Sequence, residues 1–85
     1  MHMSSGAPRS AVSDQAVLLE GINRYLGLMI QDLDIQLLRL TRLIDVEPAN
    51  AYFPTAKQQI QELRNRLQTE KYTVEQRIAG TTARN

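Results

Sequence analysis

Asp32 and Asp34 come nearest to a catalytic carboxylate pair in this chain, and their spacing works against the role. Side chains two residues apart on a helix point about 200° away from each other, so these two acids cannot converge on one substrate. The single histidine, His2, leaves no imidazole to activate a serine or threonine, and the Ser and Thr residues fall mostly in expected tails and caps. A metal centre of the helical-bundle type needs carboxylates from both helices together with Glu-x-x-His pairs, and those pairs are absent. One further arrangement has chemical meaning. Arg24, Arg39 and the carboxamide of Gln36 would bind an anionic substrate if they met in a water-excluded pocket. We expect no catalytic, metal or cofactor residues and a non-enzymatic role.

Basic residues are the other candidate chemistry. Arg24, Arg39 and Arg42 precede Lys57, Arg64, Arg66, Lys71 and Arg77, all able to contact phosphate. Glu20, Asp45, Glu62, Glu70 and Glu75 are interleaved with them, and no row of aromatic residues accompanies them for base stacking. The formal net charge is only +1, from 10 basic and 9 acidic residues. That balance argues against electrostatic capture by nucleic acid or anionic lipid. Neither nucleic acid nor membrane is an expected partner.

The informative pattern is apolar. From Val17 to Val46, 17 of 30 residues are large and apolar, whereas 56–79 carries one thin stripe: Ala56, Ile60, Leu63, Leu67, Val74 and Ile78. A thin stripe cannot cover a helix that is apolar over most of its circumference. With 85 residues there is one small domain, and domains near this size bury only roughly 60 % of the surface their unfolded chain exposes. Disulfides, a metal or oligomerisation normally make up the deficit. There are no cysteines, so association remains. The absence of cysteine fits a reducing compartment, no charged start leads into an apolar signal core, and no run reaches the ~18 apolar residues of a membrane span. Cytoplasmic localisation is the expectation.

Residues 1–12 are rich in Ser, Gly, Ala and Pro and read as a disordered arm. Ser13 followed by Asp14 reads as the cap of a first helix, with Val12 and Val17 placed to form a hydrophobic staple. Within it Leu19, Ile22, Leu26, Met29, Leu33, Gln36, Leu40 and Leu43 step by three and four, a heptad seam with one polar insert. A second row, Ile30, Leu33, Leu37, Leu40 and Ile44, runs beside it. Gly21 and Gly27 each cost about 1 kcal/mol relative to alanine, and a break near Gly21 is the alternative to one continuous helix. Residues 45–55 form the connection, with Pro48 and Pro54 disfavouring helix before them and 49–53 able to add a helical turn. Thr55 and Gln58 read as a capping box opening the second helix, and Gly80 as the glycine that ends it, leaving 81–85 as a frayed tail.

The segment Ile30-Gln-Asp-Leu-Asp-Ile-Gln-Leu-Leu-Arg-Leu40 resembles the first helix of the all-helical chorismate mutases, in which an I-D-x-x-L-L-x-L rhythm recurs. That resemblance covers about a dozen residues. It implies a third helix and a further basic residue after the first, where this chain has Asp45-Val46-Glu47-Pro48. In architecture alone the chain is similar to small bacterial secretion chaperones, including the co-chaperones of type III needle subunits, which implies a cytoplasmic heteromeric holdase. It is similar at the same level to docking segments of multienzyme assembly lines.

The expected fold is all-α: an antiparallel helical hairpin over 13–80, with an overhanging N-terminal part, completing a helical bundle by association, most simply as a four-helix dimer. The expected function is protein–protein interaction, as a small chaperone, adaptor or docking subunit. Leu26, Met29, Ile30, Leu33, Leu37, Leu40 and Ile44 are the expected partner-binding anchors, with Leu63 and Leu67 as their counterpart within the chain. The partner is a second copy or a helical protein. A small enzyme of chorismate-mutase type, or a helical nucleic-acid binder, is the alternative. Gln36 is read either as a rim residue or as a residue fixing register between paired helices, and Glu70 as a second polar position on an apolar row.

Overall fold

Two long helices and one tight turn make up the computed structural model, which describes residues 7–84, with side-chain environments for 13–81. α1 spans Ala7–Val46 and α2 spans Tyr52–Arg84. They pack as an antiparallel hairpin in one layer, with extents of 66 × 25 × 13 Å. Residues 1–6, half of the expected arm, lie outside the described residues.

Both helices run further than their cap signals imply. α1 begins at Ala7, so Ser13 lies inside it and 7–12 are helical. Pro8 falls in the first turn, where a missing N–H removes no helical bond, and each residue added to an existing helix gains a bond without a new nucleation cost. α1 is continuous through Gly21 and Gly27. α2 likewise passes Gly80 and reaches Arg84, so that glycine does not end it.

The turn explains why the second start moved. The Asn50 N–H donates to the Glu47 carbonyl at 3.0 Å, closing a turn with Pro48 at its second position. Asn50 Oδ1 then accepts from the Tyr52 N–H at 3.0 Å, the geometry of a helix N-cap. Asn50 therefore caps α2, the extra turn expected over 49–53 joins the helix, and Pro54 falls in the first turn. Thr55 is not the cap: its hydroxyl donates back to the Ala51 carbonyl at 3.2 Å.

Two contacts set the pairing of the helices. Arg64 Nε meets Asp34 Oδ1 at 2.7 Å, and a Cβ added at Gly27 would stand 3.4 Å from Lys71 Cε. In each pair the residue numbers total 98, so the register is the same at both points. Arg84 is then level with Asp14, and the expected overhang of α1 shrinks to its first turns. On α1 the seam toward α2 is Leu19, Asn23, Leu26, Ile30, Leu33, Leu37, Leu40 and Ile44, all buried or half-buried. Its steps of three and four are those of a heptad.

The matching row on α2 mixes two kinds of residue. Phe53, Ile60, Leu67, Val74 and Ile78 are half-buried, and so are Lys57, Arg64 and Lys71, which recur every seven residues between them. Long basic side chains cover an apolar neighbour with their stems while the charged head reaches water. Lys71 ends 2.5 Å from Glu75. The core is consequently thin. Among the described residues only Leu26, Ile30 and Ala56 are less than a tenth exposed, and none is fully buried.

Candidate protein-interaction face

Stepping back one residue from every seam position on α1 yields a second row: Leu18, Ile22, Tyr25, Met29, Asp32, Gln36, Arg39 and Leu43. One residue is about 100° of rotation, so this row runs parallel to the seam along the flank of α1. The same step on α2 picks out Tyr52, Ala56, Gln59, Leu63, Arg66, Glu70, Thr73 and Arg77. Both helices are right-handed and they run antiparallel, so the positions one before the seam share one side of the hairpin. The positions one after it share the other side.

The two sides differ in chemistry. One after the seam come Glu20, Arg24, Gly27, Gln31, Asp34, Leu38, Thr41 and Asp45 on α1, with Pro54, Gln58, Gln61, Asn65, Gln68, Tyr72, Glu75 and Ala79 on α2. This side is mostly polar, broken by the exposed Leu38 and Tyr72, and the acidic partners of both ion pairs, Asp34 and Glu75, stand on it. The hydrogen bond to Asp34, and then that carboxylate's charge, raise the Arg64 pKa above its ordinary value.

The side one before the seam is open, and its apolar residues are concentrated on α1. Ile22 and Leu43 are each 39 % exposed, Leu63 43 % and Tyr25 65 %. Along α1, Val17, Leu18, Gly21, Ile22, Tyr25 and Leu26 line a shallow groove of about 440 Å³. A second groove of about 420 Å³, lined by Tyr25, Leu28, Met29, Gln31, Asp32 and Ile35, adjoins it at Tyr25 and turns onto the face of α1 directed away from α2, where Leu28 and Ile35 stand and which Gln31 reaches from the other side. Together they form a strip about 27 Å long at 1.5 Å per residue. Singly exposed apolar residues are ordinary on a protein surface, but here they adjoin one another along the outer part of α1.

Measured against this geometry, the expected anchors divide. Leu26 and Ile30 are buried against α2, and Leu33, Leu37, Leu40 and Ile44 are half-buried in the same seam. Only Met29 stands on the open row. Leu63, the expected counterpart within the chain, is exposed, whereas Leu67 is in the seam. The reason is geometric: the eight-residue row that includes both Leu26 and Met29 bisects the seam and the flank, so periodicity alone names the middle of a broad apolar arc and not its free edge. Ile22, Tyr25, Leu28 and Leu43 were visible as apolar residues but had no signal separating them from the hairpin core.

The alternative chemistries find no common site in the hairpin. Arg24 and Arg39 are separated by about 22 Å of helical rise and stand on opposite sides, with Gln36 beside Arg39 only. Asp32 and Asp34 likewise face opposite sides, Asp34 being engaged by Arg64. Among the basic residues of α2, Lys57, Arg64 and Lys71 lie in the seam, while Arg66 and Arg77 lie on its apolar side. Among the described residues no group of three His, Cys, Asp or Glu is placed to hold a metal ion, and no helix is long and apolar enough to cross a membrane. No protein-family model matches the chain, and neither the comparison with curated proteins nor that with solved structures produced a match.

Proposed function

We propose that this chain is a non-enzymatic protein–protein interaction module, a small helical chaperone, adaptor or docking subunit. Its apolar side, centred on Ile22, Tyr25, Met29, Leu43 and Leu63, is the binding surface. The observation that carries the reading is the surplus of exposed large apolar side chains on α1, more of them on the side of Ile22, Tyr25, Met29 and Leu43 than on the side that holds the acidic partners of both ion pairs. Burying such a strip removes apolar area from water at roughly 25 cal/mol per Å², a contribution the thin core of the hairpin lacks. Recognition is then of the helix-in-groove kind, read through side chains spaced three and four apart.

The test is the molar mass of the chain by analytical ultracentrifugation, both purified and in extracts of its native source. Wild type is compared with an Ile22→Glu/Leu43→Glu variant whose helicity is verified by circular dichroism. The module exceeds monomer mass in at least one setting, and the variant does not. A chain that is monomeric and stably folded in both settings overturns the reading.

A further inference from the structure

We infer that the occupant of the apolar side is a second copy of this chain, packed across a two-fold axis perpendicular to the helices at the level of Gln36 and Leu63. This rests on the interaction-module reading and specifies its partner. In the resulting four-helix arrangement each α1 lies antiparallel on the partner's α1, and each α2 on the partner's α2.

Several features of the exposed side agree on that level. The register of the hairpin puts Leu63 of α2 level with Ile35, beside Gln36 of α1. An axis there sets Gln36 against the partner's Gln36, amide to amide, and Leu63 against the partner's Leu63. The same operation brings Asp32 to the level of the partner's Arg39, and Arg39 to that of the partner's Asp32. Asp32 and Arg39 are both exposed and carry no ion pair in the hairpin. Along α1, Met29 meets the partner's Leu43, and Tyr25 the partner's Val46, so there apolar faces apolar outside the polar centre; along α2, Arg66 comes level with the partner's Gln59 and Glu70 with the partner's Ala56.

The neighbouring registers fail on charge. A slip by one heptad in one direction moves the axis to Asp32, setting two carboxylates against each other. The same slip in the other direction moves it to Arg39 and opposes two guanidiniums. Like charges placed across an interface suppress that pairing, whereas complementary ones fix register. Area is sufficient as well. With the axis at this level the two hairpins overlap over residues 22–49, about 40 Å of helix. Against two helices each about 10 Å across that is a footprint of about 800 Å² per copy, level with the roughly 800 Å² per partner of a standard stable interface.

The absence of cysteine from the chain permits a direct test. Gln36→Cys and Gln61→Cys are made separately, the second on the polar side, and each full chain is mildly oxidised at low micromolar concentration. The proposed dimer cross-links through position 36 and not through position 61. In parallel, sedimentation equilibrium compares Asp32→Lys, Arg39→Glu and the double variant. Each single change weakens self-association at least tenfold, and the double change recovers most of the loss. Cross-linking through position 61 but not 36, or a double variant weaker than both singles, overturns the arrangement. A purified chain that is monomeric yet assembled in its native extract overturns self-pairing while leaving the interaction module standing. Monomer in both settings overturns both.

Discussion

Asp34 and Arg64, thirty positions apart, are joined across the hairpin by a 2.7 Å hydrogen-bonded ion pair. Their side chains are 49 % and 30 % exposed, so water screens the attraction and the pair acts as a register mark more than as a brace. Asp34→Asn is expected to lower Tm by a few degrees at most, and less as salt rises. Thermal melts at low and high ionic strength check this. A large, salt-insensitive loss would mean that the pair carries the fold.

The seam itself is where charge cannot be tolerated. Leu33→Asp and Leu40→Asp each place an unpaired carboxylate between α1 and α2, at a cost of several kcal/mol, comparable with the whole stability of a small domain. Gln61→Asp falls on the exposed polar side and is expected to leave the melt almost unchanged. Coincident circular dichroism melts for the three variants would contradict the assigned seam.

Asn23 offers the opposite case. Its Oδ1 is buried without a hydrogen-bond partner, between Leu19 and Leu26 on the seam. Such an acceptor gives up its water for nothing. Asn23→Leu, close in size, is expected to stabilise the protein by about 1 kcal/mol, a rise in Tm of roughly 4–8 °C for a domain of this length. A fall in Tm would show that the amide oxygen has a partner in the assembled protein.

Gly27 is covered by the stem of Lys71, with 3.4 Å between Lys71 Cε and the position of an added Cβ. That is ordinary contact, and the neighbour is flexible. Gly27→Ala therefore keeps the register and gains helix propensity of about 1 kcal/mol. Gly27→Leu must displace the Lys71 stem and is expected to lose that gain. Denaturant midpoints for the two variants distinguish the cases.

The number, direction and pairing of the helices were legible in the sequence, because a long apolar period of three and four followed by a proline-marked turn has few other solutions. Helix ends were not. Ser13, Thr55 and Gly80 are all good cap residues, yet none terminates a helix here, since local cap preference of about 1 kcal/mol yields to continued propagation and to the stronger Asn50 turn. The division of the apolar arc was the other blind spot. Lys57, Arg64 and Lys71 look like a solvated face when charge is assumed to mean surface. Their sevenfold spacing, matched to Gly27 and Asp34 across the hairpin, was the available sign that they belong to the seam and turn the Met29 row outward.

A hairpin one layer thick has a further consequence for how it comes apart. Among the described residues only three side chains are buried, so unfolding a lone copy uncovers less apolar surface than unfolding a compact fold of the same length would. The heat capacity change and the denaturant dependence both scale with that newly wetted surface. A lone copy therefore loses its structure over a broad span of temperature or urea. A sharp transition belongs to the chain only when another helical surface lies against Ile22, Met29, Leu43 and Leu63, so the breadth of the melt reports how much of the protein is partnered.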